Sequence, residues 1–158
     1  MPGLKRLFLL WLVLNISFAC AVKYSSHAAA ESGQKPTDEL RLAAQQWLGT
    51  PYRYGGNDRS GIDCSGLACR LYQSVFQYRL PRLANRQRQL GYSVHYPYLK
   101  AGDLIFFRFA GDERIDHVGV YLGQDQFIHA STSRGVTIDR LSDPYYRKHI
   151  VVIKRILR

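Results

Sequence analysis

An α+β fold is predicted, with N-terminal helices packed on an antiparallel sheet. Three features of the sequence predict it. Between positions 37 and 91 the apolar residues recur at three- and four-residue intervals, the period of helices with one buried face. From Leu104 onward they gather in short blocks rich in Val, Ile and Phe, as strands do. Gly, Asp and Pro fall between the blocks, where turns are needed. The 158 residues, 46% of them hydrophobic, suffice for one domain with a real core and a short extra segment, and exclude a chain disordered throughout.

The chain opens with a segment outside that fold. Lys5 and Arg6 precede an apolar run from Leu7 to Ile16, too short to span a bilayer comfortably, and small residues follow. Residues 1–21 therefore read as a secretory signal. Its end has two readings. Ala19-Cys20-Ala21 fits cleavage after Ala21, whereas Ser17-Phe18-Ala19-Cys20 has the outline of a lipoprotein box, with Cys20 lipidated and the protein held at a membrane. Residues 22–36 are small and polar without an apolar period, and read as a tether; the folded domain is expected over 37–158.

Within the domain, Thr37 is placed to cap a helix running through Leu48, with Leu40, Ala43, Ala44 and Trp47 along one side and Gly49 ending it. Residues 49–62 carry the Gly and turn formers of a loop. Asp63 is placed as N-cap of a second helix reaching about Gln77, which puts Cys64 in its first turn and Leu67, Leu71 and Val75 on its buried stripe. Pro81 is placed to open a short helix ending near Gly91. Strands are expected at 104–109, 117–122, 127–130, 136–138 and 150–153.

Cysteine usage bears on chemistry. An exported protein tends to pair its cysteines. Here Cys20 is removed or lipidated, and Cys64 and Cys69, five apart on one helix, point about 140° from each other. Two thiols thus remain without a bridge, which favours a chemical role for at least one. No CxxC or HExxH occurs, so no metal is expected, and no cofactor. The net charge of +10 loses only Lys5 and Arg6 on cleavage after Ala21, leaving +8. That excess suits a polyanionic wall polymer or membrane surface; its dispersion along an exported chain argues against nucleic acid.

A cysteine at a helix N-terminus feels the positive end of the helix dipole, which favours thiolate, and a histidine beside it could act as base and acid. Of five histidines, His27 falls in the tether, His95 in an aromatic loop and His149 near the last strand. His117 and His129 instead sit in strand segments otherwise filled by Val, Ile and Phe. Pairing Leu122 with Phe127 across a four-residue loop would turn them to opposite faces of the sheet; an odd-parity connection or a bulge would bring them together.

The runs "YRYGGNDRSGIDCSGL", "AGDLIFFR" and "DHVGVYLGQDQFIHASTSRGV", in that order, resemble the NlpC-type family of bacterial cell-wall cysteine peptidases, and within it the Spr-type murein endopeptidases. The likeness runs from about Gln46 to the C-terminus. It implies a papain-like α+β domain, the nucleophile-bearing helix packed on a barrel-like antiparallel sheet. It also implies Cys64 as nucleophile, His117 as general base and acid, His129 as the residue orienting that imidazole, and Tyr52 beside the oxyanion site. Ala101 stands where the family has proline, and Leu83 where it often has Ser or Thr; the second change removes a helix cap at the cleft edge. The implied activity is hydrolysis of an amide in peptidoglycan stem peptides or their cross-links, by a monomer exported to the bacterial envelope. Two other readings are an acyl or amide transferase and a non-catalytic wall-binding module. A thiol probe selective for Cys64 over Cys69 separates the enzymes from the binder.

Overall fold

The computed structural model describes residues 36–111 and 115–157. The expected signal segment, Cys20 and the tether up to residue 35 lie outside the described residues. The first helix, α1, occupies residues 36–47. Thr37 is thus already helical and is not the cap; Pro36 suits a first turn, where its missing N–H has no intrahelical partner to lose. Leu40 and Ala44 are fully buried, with Ala43 and Trp47 packed beside them, and Gly49 turns the chain out at a φ of 76°.

Residues 49–62 are largely loop, tightened by the two-residue strands β1 (Asn57–Asp58) and β2 (Gly61–Ile62). Helix α2 follows at Cys64–Phe76, with Asp63 as N-cap and Gln77 in the left-handed conformation closing it. The helix expected from Pro81 forms later and shorter, as α3 (Ala84–Gln87). Its N-cap, Leu83, makes no side-chain cap bond, because an alkyl side chain has no acceptor to offer. Arg82, just before it, is drawn instead onto Asp63.

The remaining strands are β3 (Tyr92–Ser93), β4 (Leu104–Phe107), β5 (His117–Gly123), β6 (Gln126–Ser131), β7 (Gly135–Arg140) and β8 (Ile150–Arg155), with a 3₁₀ turn at Tyr96–Tyr98 and a short helix α4 (Pro144–Arg147). They form an antiparallel sheet of order β3-β8-β4-β5-β6-β7. It is barrel-like only in part: β3 and β7 are its edges and the sheet is not closed. The unbroken apolar run of β4 reflects burial on both faces. Leu104 and Phe106 join α1 and α2 in the main core, with Val118, Val120, Leu122, Ile128 and Ala130; Ile105 and Phe107 pack on the other face with Phe127, Leu141 and Tyr146. Helix α2 lies on β5 and β6, and that placement brings Cys64 to the strands bearing the histidines. Among the described residues no helix is long and apolar enough to cross a membrane.

Candidate active site

The start of α2 is held by a dense set of bonds around Asp63. Its carboxylate accepts from Gly66 N at 2.7 Å and Gly55 N at 2.9 Å, and from both Arg82 Nη atoms at 2.8 and 2.7 Å. Burial pushes the Asp63 carboxyl up, but the Arg82 guanidinium and those N–H groups outweigh it and hold the acid below its usual range. Arg82 also donates to Ser65 Oγ and to Gly56 O, tying the loop to the helix. Gly66 is required by this closeness: a Cβ there would stand 2.8 Å from Gly56 O and 3.2 Å from Asp63 Oδ1. The run DCSG thus fixes where the Cys64 thiol sits.

Cys64 is buried, and the backbone N–H of Val118 approaches its sulfur. Burial pushes the thiol up to about 11, and the charge of Asp63 adds to this. The helix N-terminus does favour thiolate, as expected, through the N–H groups of Cys64 and Ser65, but burial outweighs it. Desolvation of the charged form exceeds what one helix end can supply. Cys69 is likewise a free thiol, half-buried, near the carbonyls of Leu80 and Pro81 and the amide of Gln87.

His117 opens β5 and His129 lies in β6, both buried. His117 Nε2 is 2.8 Å from His129 Nδ1, so the two histidines do share a face. A bulge brings this about. Gly123 pairs with Gln126 around a tight turn in which Gln124 and Asp125 both have positive φ, but Tyr121 pairs with Phe127, leaving Leu122 as the extra residue. That one-residue shift turns His117 toward His129. Gly119 makes room for the arrangement, since a Cβ there would stand 2.6 Å from the Phe127 ring, which stacks on His129 at 5.0 Å. Burial pushes the His117 imidazole down to about 3, with the neighbouring His129 adding to the effect. Burial thus disfavours the charged form of both groups.

Tyr52 reaches the site through an isolated bridge to Ile62, two residues before Cys64. Burial raises its phenol, and the Cys64 and Asp63 charges add to this. Two clefts meet here. One, of roughly 650 Å³, is lined by Cys64, Ser65, Arg82 and Leu83; the other, of roughly 660 Å³, by His117, His129, Arg134 and Asp139. Tyr52 and Asp116 line both, and Asp116 shapes the rim by accepting from the N–H groups of Phe109 and Ala110.

Three contributors escaped the sequence reading: Asp139, Arg134 and Tyr146. Asp139 Oδ2 is 2.8 Å from His129 Nε2. The signal was present in the hairpin. Ser131 pairs with Gly135 across a short turn, so His129 faces Thr137 and Asp139 lies one same-face step along. Ending the expected strand at residue 138 hid it.

A cysteine in the first turn of a helix, laid against an antiparallel sheet that bears a histidine pair, is the arrangement of papain-like α+β domains. Residues 49–155 match the NlpC/P60 family, and the chain belongs to that family. It is 43% identical over 111 residues to the murein DD-endopeptidase MepS/murein LD-carboxypeptidase of Escherichia coli, covering 70% of this chain and 58% of that protein. It is 38% identical to the probable endopeptidase NlpC of Escherichia coli, over 84% of this chain and 90% of the other. Among solved structures, an NlpC/P60 family protein from Bacillus cereus superposes with a TM-score of 0.70 at 33% identity, covering 77% of this chain and 40% of that one.

Proposed function

We propose that this chain is an exported cysteine peptidase that hydrolyses amide bonds in peptidoglycan stem peptides or their cross-links. The observation that carries the reading is the meeting of the Cys64 and His117 clefts at Tyr52. His117 Nε2 is engaged with His129, which leaves Nδ1 as the nitrogen that takes the thiol proton. Because burial disfavours the charged form of both groups, the proton moves as sulfur attacks the carbonyl carbon. The backbone N–H of Cys64 and the Tyr52 hydroxyl stabilise the oxyanion. His117 then hands its proton to the leaving amine, giving a thioester. Water, deprotonated by the same imidazole, releases the acid and restores the thiol.

The relatives support the substrate class: the Escherichia coli protein that is 43% identical is named for two activities on murein. The net charge of +10, or +8 after cleavage following Ala21, suits an anionic polymer. We place the mature protein in the periplasm as a monomer, soluble or held at a membrane through Cys20. Cleavage of the cross-link is the favoured reaction, with Leu83 bordering the Cys64 cleft as a site where preference is set. Mass analysis of fragments from cross-linked dimers and uncross-linked tetrapeptides, with the wild type and Cys64→Ala, tests this. Dimers turned to monomers by the wild type alone support the cross-link, and tetrapeptides shortened to dipeptides support cleavage within one stem. Casein cut with both left intact overturns the wall assignment.

A further inference from the structure

The histidine pair ends in an anion. Asp139 Oδ2 lies 2.8 Å from His129 Nε2, and the carboxylate is itself clamped. Arg134 binds it through both nitrogens, Nη1 to Oδ1 at 3.1 Å and Nη2 to Oδ2 at 2.5 Å, and the Tyr146 hydroxyl donates to Oδ2 at 2.5 Å. Arg134 Nη2 also donates to the Tyr146 oxygen at 2.9 Å, so the clamp is braced against itself. Only 17% of the Asp139 side chain is exposed, against 51% of Arg134, so the clamp closes over the carboxylate from outside.

From this geometry we infer that Asp139 is a positioning residue, which fixes the proton arrangement of His129 and, through it, keeps His117 Nδ1 free to accept the thiol proton. An ionised carboxylate only accepts hydrogen bonds. Burial pushes the Asp139 acid up, but the bonds from His129, Arg134 and Tyr146 outweigh it and hold the group well below the usual carboxylate range. His129 Nε2 must therefore carry hydrogen, and in the neutral ring its Nδ1 offers a lone pair to His117 Nε2–H. His117 Nδ1 is then bare. The opposite arrangement sets the His129 Nε2 lone pair against the carboxylate and puts hydrogen on His117 Nδ1, where it blocks proton transfer. When His117 takes the Cys64 proton, its positive charge is felt along the same line by Asp139. No proton leaves His129 or reaches Asp139.

The inference rests on His117 as the base proposed above, but its readout does not need a substrate. Long-range ¹H–¹⁵N correlation spectra of the full chain with ¹⁵N-labelled histidine report which ring nitrogen carries hydrogen. Hydrogen on Nε2 of both His117 and His129 at neutral pH is expected in the wild type. Asp139→Ala leaves Arg134 and Tyr146, both donors, facing His129 Nε2, whose hydroxyl neighbour is already at 3.5 Å. That variant should move the His129 hydrogen to Nδ1 and lower kcat by about a hundred-fold, with KM changed less than about twofold. Asp139→Asn restores an oxygen acceptor without the charge; it should keep hydrogen on Nε2 and lose roughly tenfold. Hydrogen on His129 Nδ1 in the wild type overturns the inference, as does unchanged kcat in a folded Asp139→Ala. Should that variant fail to fold, the wild-type and Asp139→Asn spectra still decide. If murein is left uncut while the spectra read as expected, the substrate assignment fails and the positioning role stands.

Discussion

Cys64 and Cys69 lie about 1.4 turns apart on α2, and their surroundings give them different chemistry. Cys64 faces the Val118 N–H and lines the cleft that meets the His117 cleft at Tyr52. Cys69 lies against the Leu80 and Pro81 carbonyls, and Gln87 donates to its sulfur. Cys64→Ala should abolish hydrolysis while leaving the circular dichroism spectrum unchanged; Cys69→Ala should keep its rate, and equal losses would refute the assignment. The buried thiol also predicts a pH signature. Alkylation of Cys64 by iodoacetamide, followed by mass spectrometry, should be slow at neutral pH and climb toward about 11, because burial disfavours the thiolate. A rate already saturated at pH 7 would mean that the thiol rests ionised. At His117, alanine should cost at least about a hundred-fold in hydrolysis rate, the low end for a lost acid–base group. His129→Ala should cost less than His117→Ala, since water can accept from His117 Nε2–H in its place and still leave Nδ1 bare.

At the scale of elements, the site is legible in the sequence where local rules act and obscure where two strands must be compared. The Asp63 cap, the αL exit at Gln77 and the apolar stripe of α2 obey helix rules that need no tertiary partner. Strands β1, β2 and β3 are only two residues long and carry no usable period, so the sequence could not announce them. The Leu122 bulge is likewise invisible along one strand, because it is a mismatch between β5 and β6; yet it decides which face His117 occupies. Asp63 shows what a legible cap can conceal. It caps α2, but it also receives Arg82 and Gly55, 19 and 8 residues away in the chain. Asp63→Ala should therefore cost more than an ordinary cap, about 2 kcal/mol or above, since it also strands the partly buried Arg82 guanidinium. Thermal denaturation checks this, and a loss near that of a simple exposed cap would show that Arg82 finds water instead.

Across the whole molecule, the same buried groups that arrange the site set its response to acid. The sheet carries cores on both faces, and His117 sits within it only 7% exposed, where burial disfavours its charged form. In the unfolded chain that imidazole takes a proton near its ordinary value of 6.5, while in the folded chain it does so only near 3. Between those pH values the unfolded state binds the extra proton, so stability must fall as the pH falls, by roughly 1.4 kcal/mol per unit from this group. Asp63 acts in a lower window. Its folded value is depressed below 3.8, so its contribution is present above that pH and is lost as the pH drops through the folded value. The melting temperature should decline from about pH 6.5 downward, well before the carboxylates titrate. His117→Gln, which cannot take a proton, should flatten the upper part of that decline whatever its effect on the melting temperature at neutral pH. Melting curves from pH 7 to 4 on the two proteins decide it: parallel slopes would mean that His117 is not held neutral by burial, and the case for proton transfer from a neutral thiol to a neutral imidazole would fall with it.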